Sequence, residues 1–189
     1  MLQLLCAHVI GARDGHRVMN PDAVQHINLK IFVADAAAID TAAAVPVFHR
    51  WIKDSLCPEM LIDVAEYRHV PAGPGVLLIG LEANYSLDER ENRLGLLYNR
   101  KDSLDGTFQS RLAQAHQAAL AACDRLEKET PVKFDRSTLE VFVNDRLLAP
   151  NSDETWQSLK PELEKYFTGS KIERRGEPRD LFRVAVTKA

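Results

Sequence analysis

Three strand-like segments follow one another closely between residues 60 and 101, and this spacing constrains the fold more than any other feature of the sequence. The segments are Met60–Tyr67, Val76–Tyr85 and Leu94–Lys101. The connections between them are too short to hold a crossover helix, which neighbouring parallel strands would need. The three segments are therefore predicted to form an antiparallel meander.

Helical patterns lie on both sides of this meander. Asp40-Thr41 is a suitable cap for a helix that runs to about Leu56, although Pro46 favours a later start for its regular part. Asp105-Gly-Thr107 is predicted to open the longest helix, which extends to about Lys128. Asn151 with Glu154 resembles a capping box and predicts a third helix from Ser152 to about Phe167.

The remaining strands are predicted from runs of β-branched and aromatic residues. They are Leu2–Ile10, returning at Asp14-Gly15 as a hairpin, then Leu29–Val33, Thr138–Val143 and Asp180–Thr187. The order of the elements after the first hairpin is β-α-β-β-β-α-β-α-β. The sequence therefore predicts an α+β fold, with three helices packed on a mainly antiparallel sheet in the ferredoxin-like style.

The length of 189 residues predicts a single α+β domain over residues 1–189. An alternative boundary near Thr130, where the long helix ends, would separate a larger half (1–130) from a small βαβ piece (131–189). No internal repeat or low-complexity linker marks such a division.

The charge distribution argues against a nucleic-acid-binding protein but leaves room for another partner. The net charge is −3, whereas nucleic-acid binders are usually basic. From Ser170 onward there are six basic and three acidic residues, so this segment carries +3 and the preceding residues carry −6. Its arginines are candidates for binding a partner: Arg174, Arg175, Arg179 and Arg183. The alternative is a solvated strand face.

The cysteine and histidine patterns predict no metal or cofactor. The three cysteines are widely spaced, and the six histidines form no HxH, HxxxH or HExxH pair. The apolar N-terminal segment lacks a basic region before it, and no apolar run approaches the roughly 20 residues that span a bilayer. We therefore expect a cytoplasmic protein with reduced thiols and no membrane contact.

The first strand of the meander holds a candidate acid–base or ligand site. Alternation places Asp63, Tyr67 and His69 on one face of the sheet if the strand continues far enough. A carboxylate among apolar neighbours needs a partner or a raised pKa, which suits proton transfer. The alternative is a structural ion pair between Asp63 and an arginine of a neighbouring strand.

The loop after this strand could form one wall of the same site. Arg68 and His69 precede Gly73 and Gly75, whose backbone could approach an anion closely, although the spacing matches neither a dinucleotide fingerprint nor a P-loop. The alternative is a tight hairpin loop that needs these glycines for its turn angles. The polar residues at the ends of the next strands, such as Asn84 and Asn99, are expected to reach water.

Two hypotheses for the function follow from these patterns. The first is a non-catalytic binding or assembly module that acts through protein–protein contacts, including self-association, since no catalytic motif is present. The alternative is a small-molecule enzyme whose acid–base site uses Asp63, Tyr67 and His69 beside the Gly73/Gly75 loop.

Overall fold

The computed structural model describes residues 19–35 and 40–188. The predicted strand Leu2–Ile10 and its turn at Asp14-Gly15 lie outside these residues. Within the described part, the α+β class, the antiparallel sheet and the three helices are confirmed. The ferredoxin-like style stays a prediction.

Eight antiparallel strands form one sheet in the order β2-β3-β4-β5-β1-β6-β8-β7. The strands are β1 (Ile27–Val33), β2 (Leu61–Glu66), β3 (Val76–Gly80), β4 (Ala83–Asp88), β5 (Gly95–Arg100), β6 (Phe134–Val143), β7 (Ser170–Arg175) and β8 (Phe182–Lys188). The first described strand, β1, lies between the end of the meander and β6, so it joins the two parts of the sheet. Strands from both sides of Thr130 therefore share one sheet, although the extent of the domain stays a prediction.

The sheet contains two strands that the predicted order of elements after the first hairpin lacks. The segment predicted as one strand, Val76–Tyr85, is the hairpin of β3 and β4, because the chain reverses between Gly80 and Ala83. The other addition is β7, whose charged residues do not show the apolar alternation that reveals a half-buried strand.

The helices are α1 (Ala44–Lys53), α2 (Phe108–Glu129) and α3 (Asp153–Tyr166). A 3₁₀ turn capped by Asp40 precedes α1, which agrees with the later start that Pro46 predicts. The Thr107 side chain caps α2 in a reciprocal pair with Ser110. None of the helices in the described ranges is long and apolar enough to cross a membrane.

The cap of α3 differs from the prediction. Ser152 is the N-cap and accepts from the backbone N–H of Thr155. The Asn151 side chain instead donates to the carbonyl oxygens of Arg175 and Glu177 at 3.0 and 3.1 Å. Asn151 therefore fastens the turn after β7 to the start of α3, and the predicted capping box is wrong.

The helices cover one face of the sheet because apolar side chains alternate along the strands. On β1, Leu29 and Ile31 are buried in the core with Leu112 and Ala119 of α2. Successive side chains of a strand point to opposite faces. The residues between and beside them on β1 therefore lie on the opposite face, which we call the open face.

A buried carboxylate ties the segment before β2 to the core beneath the helices. Glu59 accepts hydrogen bonds from the hydroxyl groups of Tyr85 at 2.7 Å and Tyr98 at 2.9 Å. Burial raises the pKa of both tyrosines, that of Tyr98 to about 12. Both therefore stay protonated at neutral pH and act as hydrogen-bond donors.

We predict that Gly75→Ala destabilises the fold more than Gly169→Ala. Both glycines have positive φ, +61° and +78°, which disfavours a side chain. At Gly75 an added Cβ would also overlap the Leu87 carbonyl oxygen, whereas at Gly169 it would meet nothing within 4 Å. Urea unfolding should show a loss of about 2–4 kcal/mol for Gly75→Ala and about 1 kcal/mol for Gly169→Ala. Equal losses would contradict the close approach of β4 to this loop.

We also predict that the ion pair between Arg136 of β6 and Glu127 of α2 contributes stability that is lost in acid. The hydrogen bond from Arg136 of β6 lowers the pKa of Glu127 of α2. A lowered pKa stabilises the fold above the unfolded-state pKa, about 4, and this contribution is lost as pH falls through the folded-state pKa. The stability gap between wild type and Arg136→Gln should therefore narrow as pH falls below about 4, as measured by urea unfolding. A difference in unfolding free energy that stays constant with pH would contradict a stabilising role for the Arg136–Glu127 pair.

Candidate functional site

The open face carries buried charged and amide side chains, and no α-helix of residues 19–35 or 40–188 covers them. Asn28, Lys30 and Phe32 of β1 point to this face, opposite the core residues Leu29 and Ile31. The strand register places Lys30 between Leu97 of β5 and Glu140 of β6. Ionisable residues are rarely this buried unless they are paired.

The most deeply buried of these charges form an ion pair. The Lys30 ammonium donates to Asp88 Oδ1 at 2.6 Å, and the two side chains are 4% and 1% exposed. Asp88 ends β4, and its Oδ2 lies 3.4 Å from Arg90 Nε. The pair therefore joins the central strand to the start of the β4–β5 connection.

A second charged group brings the β4–β5 connection onto the open face. Arg93 donates to Glu140 at 2.7 Å, and its guanidinium carbon lies 3.6 Å from the centre of the Phe32 ring. Arg183 of β8 donates to Glu91 at 2.5 Å and lies 3.8 Å from the other oxygen of Glu140. These contacts hold the connection across β1 and β6 as far as β8.

Beside this connection the open face forms a cleft of about 360 Å³, which we call the polar cleft. Its lining combines amides, charges and two phenyl rings: Asn28, Lys30, Phe32, Asp88, Arg90, Glu91, Arg93, Leu97, Asn99, Glu140, Phe142, Asn144, Arg146, Asp180, Leu181 and Arg183. The volume lies in the range of small-molecule sites. Asn99 Oδ1 is buried and has no hydrogen-bond partner among the described residues, whereas Asn28 Oδ1 accepts from the Arg100 N–H at 3.0 Å.

A second cleft adjoins the polar cleft at the β4–β5 connection, since Glu91 and Arg93 line both. It has a volume of about 430 Å³ and extends toward Thr138, Thr187 and Arg175. The two clefts share Arg93 and Arg183, so both border the same ion pairs.

The residues of the predicted acid–base site are exposed near the edge of the sheet. A bulge between Leu61 and Asp63 shifts the register of β2, which lies at one end of the described sheet. Asp63 Oδ1 accepts from the Val64 N–H at 2.8 Å, and Asp63 forms no ion pair within the described residues. The rings of Tyr67 and His69 are 6.3 Å apart.

The loop after β2 has structural partners of its own. Arg68 pairs with Glu66 at 2.7 Å. Gly75 accepts a backbone hydrogen bond from Tyr67, and Gly73 accepts one from Glu89. None of these residues, nor Asp63 or His69, lines the two clefts of the open face. Their role as a ligand site stays a prediction.

The predicted partner-binding arginines are spread over different surroundings. Arg174 pairs with Asp153 at 2.7 Å, and Arg175 pairs with Glu173 at 2.8 Å. Arg179 is exposed and forms no ion pair within the part of the chain described. Arg183 alone of the four lines the polar cleft. Their binding of a partner stays a prediction.

Sequence reasoning missed the charged residues at the centre of the open face. The signal for Lys30 was its position between two core residues in a strongly β-forming strand. Its partner Asp88 is 58 positions away and was assigned to a loop. Asn99, which was expected to reach water at a strand end, is instead half-buried in the polar cleft.

The described residues give no support to metal or thiolate chemistry. Residues 19–35 and 40–188 hold no group of three His, Cys, Asp or Glu side chains placed for a metal ion. Burial raises the pKa of the Cys57 thiol to about 11 and that of Cys123 further, so both stay protonated at neutral pH.

No protein-family model matches the sequence, and no curated protein matches it significantly.

We predict that Lys30→Met lowers the free energy of unfolding by about 3–5 kcal/mol, because it leaves the Asp88 carboxylate buried without its closest cation. The matched control is Lys171→Met, since Lys171 is 70% exposed and its pair with Glu173 is a surface pair. Urea unfolding should show a change of less than about 1 kcal/mol for this control. A similarly small change for Lys30→Met would contradict the role of the buried pair.

Proposed function

We propose that this chain is a non-catalytic binding protein and that the polar cleft on the open face is its recognition surface. The observation that carries the proposal is the burial of Asn28, Lys30, Asp88 and Glu140 on a sheet face over which the described residues place no α-helix. Such a surface presents both signs of charge and amide groups in one concave place.

The energetic cost of burying these charges favours a role in ligand recognition over a role in stabilising the fold. A buried ion pair costs desolvation of both charges, and apolar side chains of similar size often give equal or greater stability. Fixed, paired charges are useful where a polar ligand must be oriented, since they need little reorganisation when it binds.

The same geometry favours binding over catalysis. Within the described chain, Lys30, Asp88, Glu140 and Arg183 all engage one another or neighbouring charges. A general acid or base must reach the proton that it transfers, whereas each of these side chains is already held against a neighbouring charge. The cleft can therefore orient a ligand more readily than it can transfer protons.

Self-association is a second part of the proposal, and it applies to a different surface. Strand β2 is an outer strand of the described sheet, and no strand of the described residues pairs with its outer edge. Beside it, Met60, Ile62 and Leu81 are 64%, 55% and 52% exposed. An exposed apolar group next to a strand edge favours pairing with a second copy of the chain.

We predict that native mass spectrometry of gently purified protein detects a retained small molecule. Arg183→Gln and Asn99→Leu should lose it, because both residues line the polar cleft. Arg179→Gln is the matched control and should retain it, since Arg179 is an exposed arginine of the same segment. If Arg183→Gln retains the molecule, the proposal that the polar cleft is the recognition surface is contradicted.

The same spectra report the oligomeric state. Ile62→Asp places a charge in the exposed apolar group and should convert a homo-oligomer to monomer without loss of the retained molecule. A wild-type protein that is strictly monomeric at micromolar concentration would contradict self-association and leave the proposal for the cleft intact.

A further inference from the structure

Arg183 uses only one end of its guanidinium in contacts with the protein. Its Nη1 donates to Glu91 and lies 3.8 Å from Glu140 Oε2. Its Nε is buried and has no hydrogen-bond partner in the part of the chain that the structure describes. Its Nη2 makes no hydrogen bond or ion pair with any residue of the described ranges.

The unused Nε and Nη2 groups lie on the same edge of the guanidinium. Their two N–H bonds are nearly parallel, and this edge matches the two oxygens of a carboxylate or a phosphate. The guanidinium also lies 5.8 Å from the centre of the Phe142 ring, while Nη1 is held by the acidic side chains. The edge is therefore fixed in orientation before any ligand binds.

The charge balance of the polar cleft favours an anion. Five basic side chains line it, Lys30, Arg90, Arg93, Arg146 and Arg183, against four acidic ones, Asp88, Glu91, Glu140 and Asp180. Arg146 is the basic residue of this set that forms no ion pair within the described chain. The cleft thus has one positive charge in excess.

Glu91 is placed to compete with such an anion. Its carboxylate lies at the cleft, 56% exposed, and already occupies one donor of Arg183. Glu91 and Asn92 both have positive φ, 60° and 55°, which non-glycine residues rarely adopt. The ion pair with Arg183 therefore helps to hold a strained connection against the open face.

We infer that the ligand of the polar cleft carries an oxyanion, a carboxylate or a phosphate, which binds the Nε–Nη2 edge of Arg183. Glu91 weakens this binding because its carboxylate shares the same guanidinium. The inference rests on the proposed function and adds the chemical class of the ligand. Asn99 and Arg146 are further polar residues in the lining of the same cleft.

Isothermal titration calorimetry tests the inference, with inorganic phosphate and succinate as anionic probes and glucose as the neutral probe, all at constant ionic strength. Phosphate or succinate should bind saturably to wild type and to Arg179→Gln, and the one that binds more tightly identifies the kind of oxyanion. Arg183→Gln should weaken binding at least tenfold. Arg183→Lys should weaken it similarly, since lysine keeps the charge and lacks the two-donor edge. Glu91→Gln should tighten it several-fold.

Saturable binding of neither anion, or equal binding by wild type and Arg183→Lys, would overturn the inference. If Arg183→Gln does not fold, as judged by circular dichroism, Arg146→Gln is the second variant and should weaken binding several-fold. Native mass spectra could instead show a neutral molecule that wild type retains and Arg183→Lys loses. That result would overturn the inference that the ligand carries an oxyanion, while the proposed function would stand. If wild type retains no molecule and binds neither anion, the oxyanion inference and the proposed binding function of the polar cleft are both overturned.

Discussion

The central position of strand β1 is the constraint on which the rest of the structure depends. Its hydrogen bonds to β5 and β6 join the meander to the C-terminal strands. Its alternation places Leu29 and Ile31 beneath the helices and Lys30 on the open face. Because a slip of one residue would exchange the two faces, the register that builds the core also fixes the buried charges.

Local signals predicted much of the fold. The caps at Asp40 and Thr107 and the short connections of the meander identified two helix starts and the antiparallel class. The hairpin of β3 and β4 was missed because Gly80-Leu-Glu lacks a strong turn pattern, and its reversal depends on pairing with neighbouring strands. Strand β7 was missed because its charges are exposed at the edge of the sheet.

The candidate site was harder to predict than the fold, because it depends on contacts between distant positions. Asp88 was part of a charged stretch that reads as a loop, and only the sheet register brings it to Lys30. Alternation within β2 predicts a shared face for Asp63 and Tyr67, and the register is regular from Asp63 to Glu66. The position of β2 at one end of the described sheet, where these side chains are exposed, has no local signal. Of the predicted residues, Arg183 and Arg175 border clefts of the open face.

The central claim is that the buried charges of the open face serve recognition, and the most direct test measures ligand retention by the double variant Lys30→Met/Asp88→Leu. Removing both charges together avoids an unpaired buried ion. The free energy of unfolding of the double variant should therefore lie within about 1–2 kcal/mol of that of wild type. Native mass spectrometry should then show a folded protein that has lost the molecule retained by wild type. A double variant that retains this molecule as wild type does would contradict the claim.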